Sequence, residues 1–558
     1  MKLTEKMGSY TIDDERKRST LFPVRVVLTK GNVTGSECLT VPQPLQVAPF
    51  CSQSQCTMKN QSDGENAAVL LDFGRELHGT ATISARAVSG EAKCILRFGE
   101  SASEALTPLG VKNATNDHAN RDVPFSCKAW SSNESNETGF RFVYLELTSP
   151  DMVMQLRCIT ATLIYRDLEY RGCFHCSDPL LDRIYDASVY TVHLNMQRYL
   201  WDGIKRDRLV WAGDMNTAIA TILAVFGNDP VVPKSLDFVK SITPSEMPMN
   251  NITSYNLWWM LCHKDWYMGT GDLAYLQEQK DYLKELLVRY ANYVDDNGSE
   301  ILPGDRYVDW PTKKIPEEQH RGLQGLLRYA MNEGAELMRF LDEPEIADLC
   351  TSTAQKLTKH NPGIGNDKQA TALMVLGGLV DPKEAFDKCI GPGGANGLSS
   401  FLSAVTLSAV AKAGEYSAAL DMIRSYWGGM LDMGATTFWE DFDLAWMENA
   451  APITDPVPPG MKDIHGDFGN YCYKQFRHSL CHGWASGPAA YLSRYVLGIE
   501  ILEPGCKKVR VCPDLCDLEF AEGTDPTPYG VIRVRHEKDG SGKIISTIDA
   551  PAEVEIIQ

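Results

Sequence analysis

The 558-residue sequence has no apolar run of about eighteen residues, the length a helix needs to cross a bilayer, so no segment is expected to span a membrane. Basic charge is in deficit. The 54 Lys and Arg stand against 73 Asp and Glu, a formal net charge of −19, which excludes nucleic acid and anionic membranes as partners because both attract basic surfaces. The chain lacks a Gly-rich phosphate loop, an HExxH helix and a GxSxG elbow. Its CxxC, Cys173 and Cys176, has no second pair at zinc-site spacing, so neither a metal nor a cofactor is expected. The opening stretch MKLTEKMGSYTIDDERKRST has no apolar core of a secretory leader, and a cytoplasmic protein is expected. Asn-x-Ser/Thr sequons such as Asn32, Asn133 and Asn297 then carry no weight, and Cys262, Cys350 and Cys481, in apolar surroundings, read as small reduced core residues. The partner left by these exclusions is small or neutral.

An apolar share of 44% and a charged share of 23% are those of a globular protein, and the length exceeds what one core supports. Between residues 22 and 170 short β-branched and aromatic runs (FPVRVVLTK, AAVLLDFG, GTATISARAV, AKCILRFG, FRFVYLELTS, LRCITATLIYR) are bounded by Gly, Asn, Ser or Asp. They predict an antiparallel β-sandwich. The period changes at SDPLLDRIYDASVYTVHLNMQ, where Ser177 reads as an N-cap, Pro179 suits the first turn, and Leu181, Ile184, Tyr185, Ser188 and Val192 recur at helical spacing. Near a dozen such segments run to about residue 497 and suit a toroid of inner and outer helices. Strand-like runs return in the tail (YGVIRVRHEK, KIISTID, AEVEIIQ). The expected organisation is an N-terminal β-sandwich over 1–172, a helical barrel over 173–497 and a small C-terminal β-domain over 498–558.

Chemistry concentrates in four loops of the helical region. WDGIKRDRLVWAGDMNT (201–217) interleaves Asp202, Asp207 and Asp214 with Arg206, Arg208, Trp201 and Trp211. The acids are five and seven apart, which does not put all three on one helical face, so a loop entering the helix MNTAIATILAVFG is expected. Taken alone, such a loop reads first as a solvated stretch whose charges pair locally. MGATTFWEDFD sets Glu440 after Trp439 in an uncharged run, where desolvation would perturb a carboxylate most, although a buried ion pair has the same signature. DRYVDWPT brings Asp309 to Trp310, and HSLCHGWASGP brings His478 and His482 to Trp484. Together the loops outline a pocket of indoles and carboxylates. Sugar recognition uses both, since C–H faces stack on aromatic rings and carboxylates accept hydroxyl hydrogen bonds. Two carboxylates from distant parts of the chain also meet the minimum for glycoside hydrolysis.

In this order RDRLVWAGD, YMGTGDLAYL, the Asp-Trp of DRYVDWPT, GATTFWE and CHGWASGPAAYLSRYVLGIEILEPG resemble the α-L-rhamnosidases of glycoside hydrolase family 78. LDFGRELHGTATI, LRFGES and FRFVYLEL are similar to that family's β-sandwich before the barrel. The resemblance covers most of the chain and implies a multidomain fold, a six-hairpin (α/α)6 catalytic barrel flanked by an N-terminal β-sandwich and a small C-terminal β-domain. It implies Asp207 as general acid, four residues before Trp211, at a position where the family usually has glutamate. Other departures are GIK for a Cys-Pro run and Val210 for a glycine. It implies Glu440 as the general base, Asp202 and Asp214 as acids on sugar hydroxyls, and Arg206, Trp211, Trp310, Trp439 and His482 as pocket residues.

The implied activity is that of an inverting glycoside hydrolase releasing terminal α-L-rhamnose from glycosides or oligosaccharides, its carboxyl groups roughly 6.5–9.5 Å apart to leave room for water. Alternatives are a six-hairpin glycosidase for another deoxy-sugar or a uronide, for which Lys205, Arg206 and Arg208 could supply free cations, and a catalytically decayed carbohydrate-binding relative. Assembly into a homo-oligomer is compatible with the sequence.

Overall fold

The computed structural model describes residues 14–43 and 55–558, so most of the segment bearing the leader expectation, residues 1–13, lies outside the described residues. The N-terminal region forms a ten-stranded sheet organised on one strand, Ala68–Val88. AAVLLDFG and GTATISARAV, expected as two strands, are the halves of that element. Gly74 sits at φ +88° and the register to Thr138–Leu147 shifts between Asp72 and Leu77, so the chain bulges and bends where the sequence suggested a turn. The first half pairs with Arg25–Lys30 and Thr138–Leu147, the second with Val153–Arg166 and Ser132–Glu134. Phe73, Phe98 and Phe140 meet in its core, with ring centroids 5.9 and 4.7 Å from Phe140.

Helix Pro179–Asn195 opens the barrel. Its cap is Asp178, whose carboxylate accepts from Leu180 N, whereas the Ser177 hydroxyl accepts from Glu519 N and ties the helix start to the C-terminal domain. Among the described residues, six inner segments close a ring: Met215–Val225, Thr253–Thr270, Pro316–Phe340, Lys368–Leu376, Ser403–Lys412 and Gly487–Tyr491, the last returning to the first. Pro179–Asn195, Val231–Ser241, Leu273–Ala291, Pro344–Leu357, Pro382–Ala385 with its extension to Ile390, and Tyr416–Asp432 alternate with them in sequence as the outer layer. Thr253–Thr270 is buried on nearly every face, as an inner helix must be. The fold is therefore an (α/α)6 barrel between two β-domains. None of its described helices is long and apolar enough to cross a membrane.

A four-stranded sheet at the C-terminal end recruits Cys173–Cys176 beside Phe520–Thr527, so the chain enters the barrel through the domain in which it finishes. Gly271 and Gly505, both at positive φ, let barrel and domain meet backbone to backbone: a Cβ on Gly271 would stand 2.8 Å from Gly505 Cα. Inside the ring, Gly325 has the same role. A Cβ there would lie 2.5 Å from the Leu373 carbonyl, so the helices Pro316–Phe340 and Lys368–Leu376 pack at backbone distance. Gly325→Ala should overpack this contact by about 1–3 kcal/mol, despite the better helix propensity of alanine. A thermal melt should show a lower Tm, and an unchanged or higher Tm would contradict the close packing.

Candidate active site

The loop 201–214 is held in place before it presents any chemistry. Asp202 Oδ1 accepts from Leu209 N (2.8 Å) and Asp202 N donates to the Leu209 carbonyl, closing the loop on itself. The Asp202 carbonyl accepts from Gly483 N, and Asn250 brackets Val210 and Ala212 through its side-chain amide. Lys205 is buried. Its ammonium stands 2.9 Å from Glu100 and 3.2 Å from Glu104, both from the N-terminal sheet domain, and also donates to the Phe476 carbonyl. Glu100, Glu104 and His465 are placed like a metal-ligand trio, but the ammonium already occupies the two carboxylates. Gly139 is necessary here, since a Cβ would stand 2.7 Å from the Ile204 and Lys205 backbone.

Arg206 is the centre of the arrangement. Its Nη1 donates to Asp207 Oδ1 (3.1 Å), its Nη2 to Glu440 Oε1 (2.7 Å), and its Nε to the Arg477 carbonyl (3.1 Å). One planar guanidinium therefore joins the two candidate catalytic carboxylates, and the bonded oxygens are at most roughly 8 Å apart. Burial works against the charge of Arg206, but Glu440 and Asp207 outweigh it and hold the group firmly protonated. Burial also raises Glu440 above the usual carboxylate range, opposed by Arg206 and by the hydrogen bond from Ser479 N to Oε2 (3.0 Å). Asp207 and Arg208 both occupy the left-handed region (φ +57° and +54°), a local strain that side-chain contacts must sustain. Arg208 donates to the Glu137 carbonyl, and Asp207 is bonded to His118 Nδ1 (2.8 Å). Both partners belong to the N-terminal sheet domain, which forms one wall of the site.

Behind the bridge lie Asp202, Asp214 and His482. His482 Nε2 is 3.9, 3.8 and 3.7 Å from Asp202 Oδ2, Asp214 Oδ2 and Glu440 Oε1, too long for hydrogen bonds. Asp214 gives its other oxygen to the Tyr255 hydroxyl (2.9 Å). One oxygen of each aspartate is thus left for a ligand. Burial first, then mutual repulsion with Asp214, pushes Asp202 well above the ordinary range; burial does the same to Asp214. Burial and the nearby Arg206 hold His482 neutral. A crevice between Trp201, Asp202, Trp211, Asp214 and Trp484 enters this cluster.

Aromatic rings line the approach. Trp211 meets Tyr255 edge-on (6.1 Å), Tyr255 meets Tyr307 (6.2 Å), and Tyr307 meets Trp310 (5.4 Å). Trp310 stacks on Tyr471, and its indole N–H donates to the Tyr473 hydroxyl; Tyr473 neighbours Trp484, which packs on His482. Asp309 is buried beneath Trp310, accepts from its backbone N–H and from the Ser399 hydroxyl, and is pushed up to about 8 by burial.

The fold thus brings together Asp202, Arg206, Asp207, Trp211, Asp214, Trp310, Glu440 and His482. Trp439 does not join the wall. It is 1% exposed and lies in the core, edge-on to Phe442 and His478. The segment 438–440 pairs with 479–482 through Glu440 N to Ser479 O and His482 N to Phe438 O, and consecutive side chains of extended backbone point to opposite sides. If Glu440 faces the site, Trp439 cannot. The sequence reading missed Tyr255, Tyr473 and His118. The tyrosines lie in stretches without charge patterning, and His118 is in a loop of another domain, so no local signal marked them.

Two family models match this chain: the bacterial α-L-rhamnosidase six-hairpin glycosidase domain over residues 169–330, and the bacterial α-L-rhamnosidase C-terminal domain over 498–557. An α-L-rhamnosidase of Formosa agariphila is 22% identical over 89% of this chain and 56% of its own length. In fold, the chain is similar to the family GH78 rhamnosidase of Bacillus sp. GL1, with TM-score 0.73 and 22% identity over 93% of this chain and 55% of that one. It is also similar to a rhamnosidase from Klebsiella oxytoca with rhamnose bound, with TM-score 0.66 and 20% identity over 86% of this chain and 96% of that one. The chain therefore spans little more than half the length of the Formosa and Bacillus proteins. In sequence the chain is thus similar to the bacterial α-L-rhamnosidases over these two domains, and it shares the fold of the family GH78 rhamnosidases.

Proposed function

We propose that this protein is a glycoside hydrolase that releases terminal α-L-rhamnose with inversion, Asp207 acting as general acid and Glu440 as general base. The observation that carries the reading is the Arg206 bridge, which joins two carboxylates from distant parts of the chain, one of them, Glu440, linked through His482 to the Asp202 and Asp214 that line an aromatic-walled crevice. The matched domain models and the rhamnose bound by the Klebsiella oxytoca neighbour support the sugar. Asp202 and Asp214 would accept hydroxyl hydrogen bonds, with Trp211 and Trp310 against the C–H faces. Asp207 would protonate the leaving oxygen while Glu440 takes a proton from water on the opposite face of the ring.

The uronide alternative is weakened by the geometry. Lys205 is engaged by Glu100 and Glu104, Arg206 by Asp207 and Glu440, and Arg208 by the Glu137 carbonyl, so each cation considered for a sugar carboxylate already has a partner. The decayed-enzyme alternative is weakened by the presence of both carboxyl groups at the bridge.

Release of 4-nitrophenol from its α-L-rhamnoside should be measurable for the wild type and fall by about 10²–10⁴-fold in Asp207→Asn and in Glu440→Gln. Proton NMR of the first-formed sugar should show the β-anomer. The α-anomer would indicate a retaining nucleophile, and an inert wild type that hydrolyses a different glycoside would replace the sugar.

A pH profile tests the bridge separately. Burial raises Glu440, so the acid limb of kcat/KM should lie above the ordinary glutamate value of about 4.3. Arg206 favours the ionised form, so Arg206→Met should move that limb to still higher pH, besides lowering the maximum. An acid limb left in place would assign it to another group.

A further inference from the structure

A second cavity, of about 510 Å³, lies at the far end of the barrel from the site just described. Its walls include Ala224 and Asp265, each ten residues further along an inner helix than Asp214 and Tyr255, or roughly 15 Å away at helical rise. The C-terminal domain closes it with Ile501 and the end of strand Phe520–Thr527, which turns at Pro528, and the exposed residues Asn228 and Pro528 stand at its rim.

Asp525 is the unexplained group. Its residue is 8% exposed, it lines the cavity, and its carboxyl has no ion-pair or hydrogen-bond partner among the described residues. Burial alone pushes it up to about 8, the condition of a carboxyl that nothing compensates. Across the cavity Asp265, raised to about 6, has one side-chain donor, the Asn216 amide at 3.0 Å. Unsatisfied buried polar groups are uncommon in native structures and call for a partner. The cations that line the same space are already committed: Lys264 to Glu333 and Glu336, Arg494 to Glu500, and Arg171 to the carbonyls of Thr527 and Gly530.

Three cations and three acids (Asp265, Glu333, Asp525) line the cavity, so it offers no net formal charge to an ion. What it offers is hydrogen-bonding capacity at two carboxyls, set among Leu223, Met268, Ile501 and Pro526. Its volume is that of an ordinary small-molecule pocket. We propose that this cavity between barrel and C-terminal domain is a second binding site, for a neutral polyhydroxylated ligand of mono- or disaccharide size, with Asp525 and Asp265 taking its hydroxyl groups.

Sucrose tests this on the whole 558-residue chain, because it contains no rhamnose, the sugar proposed for the catalytic pocket. Calorimetric titration should show saturable binding of sucrose. Asp525→Leu should weaken it about tenfold, the worth of a hydrogen bond to a carboxyl, and Asp525→Asn should keep most of it. Ala490→Phe, which fills the cavity from the barrel side, should abolish it, while Trp211→Ala in the catalytic crevice should leave it intact. If Asp525→Leu unfolds, a wild-type crystal soaked in sucrose gives the same reading, with density against Asp525 expected. No heat and an empty cavity would overturn the proposal. So would binding that survives Ala490→Phe, or a cavity that rejects sucrose and takes spermidine through Asp525, which would make it a cation site.

Discussion

The site depends on one buried cation. Lys205 carries its charge into the interface between the N-terminal sheet domain and the barrel, where Glu100 and Glu104 compensate it. Breaking such a cluster by removing one member leaves an uncompensated buried charge, typically at a cost of about 3–5 kcal/mol. The cluster therefore specifies position strongly, whatever it adds to net stability. Because Lys205 is anchored, the next residue, Arg206, has its guanidinium delivered between Asp207 and Glu440, and the strained backbone at Asp207 and Arg208 is sustained by contacts on both sides.

This makes the N-terminal domain part of the site. Glu100 accepts from Leu480 N and the Ser479 hydroxyl, in the same segment whose backbone N–H at Ser479 reaches Glu440. The short stretch around Glu100 thus holds both the loop bearing the proposed acid and the strand-like segment that orients the proposed base. His118 reaches Asp207 from the same domain. A barrel without this domain would lose together the carboxylates that compensate Lys205, the His118 contact of Asp207 and the Glu137 carbonyl that takes Arg208.

Electrostatically the site is divided. Glu440 has an arginine on one oxygen and a backbone N–H on the other, which favour its anion against burial. Asp202 and Asp214 have no cation in direct contact, and burial favours their protonated forms. Two carboxyls able to donate as well as accept suit sugar hydroxyls, which do both. The division arises from which loop meets which neighbour, since all three acids sit beside tryptophans in similar local sequence.

Much of this was legible in the sequence for physical reasons. Period-two and period-3.6 patterns persist along whole elements, so sheet, helical barrel and sheet could be read in order, and loops mixing Trp with Asp and Glu marked segments that the fold brings together. The tertiary structure decided what local pattern cannot encode. A bulge at Gly74 continued one strand where the composition suggested a turn, and Asp178, with its side chain turned onto Leu180 N, took the cap expected of Ser177. Pairing of 438–440 with 479–482 sent Glu440 to the site and Trp439 to the core, although both residues looked equally suited. Glu100 and Glu104, which compensate Lys205, and Glu440, which pairs with Arg206, lie one hundred or more residues away, and only tertiary packing could choose them. Composition and periodicity carry information about neighbours in the chain, whereas charge compensation in a buried site is settled by neighbours in space.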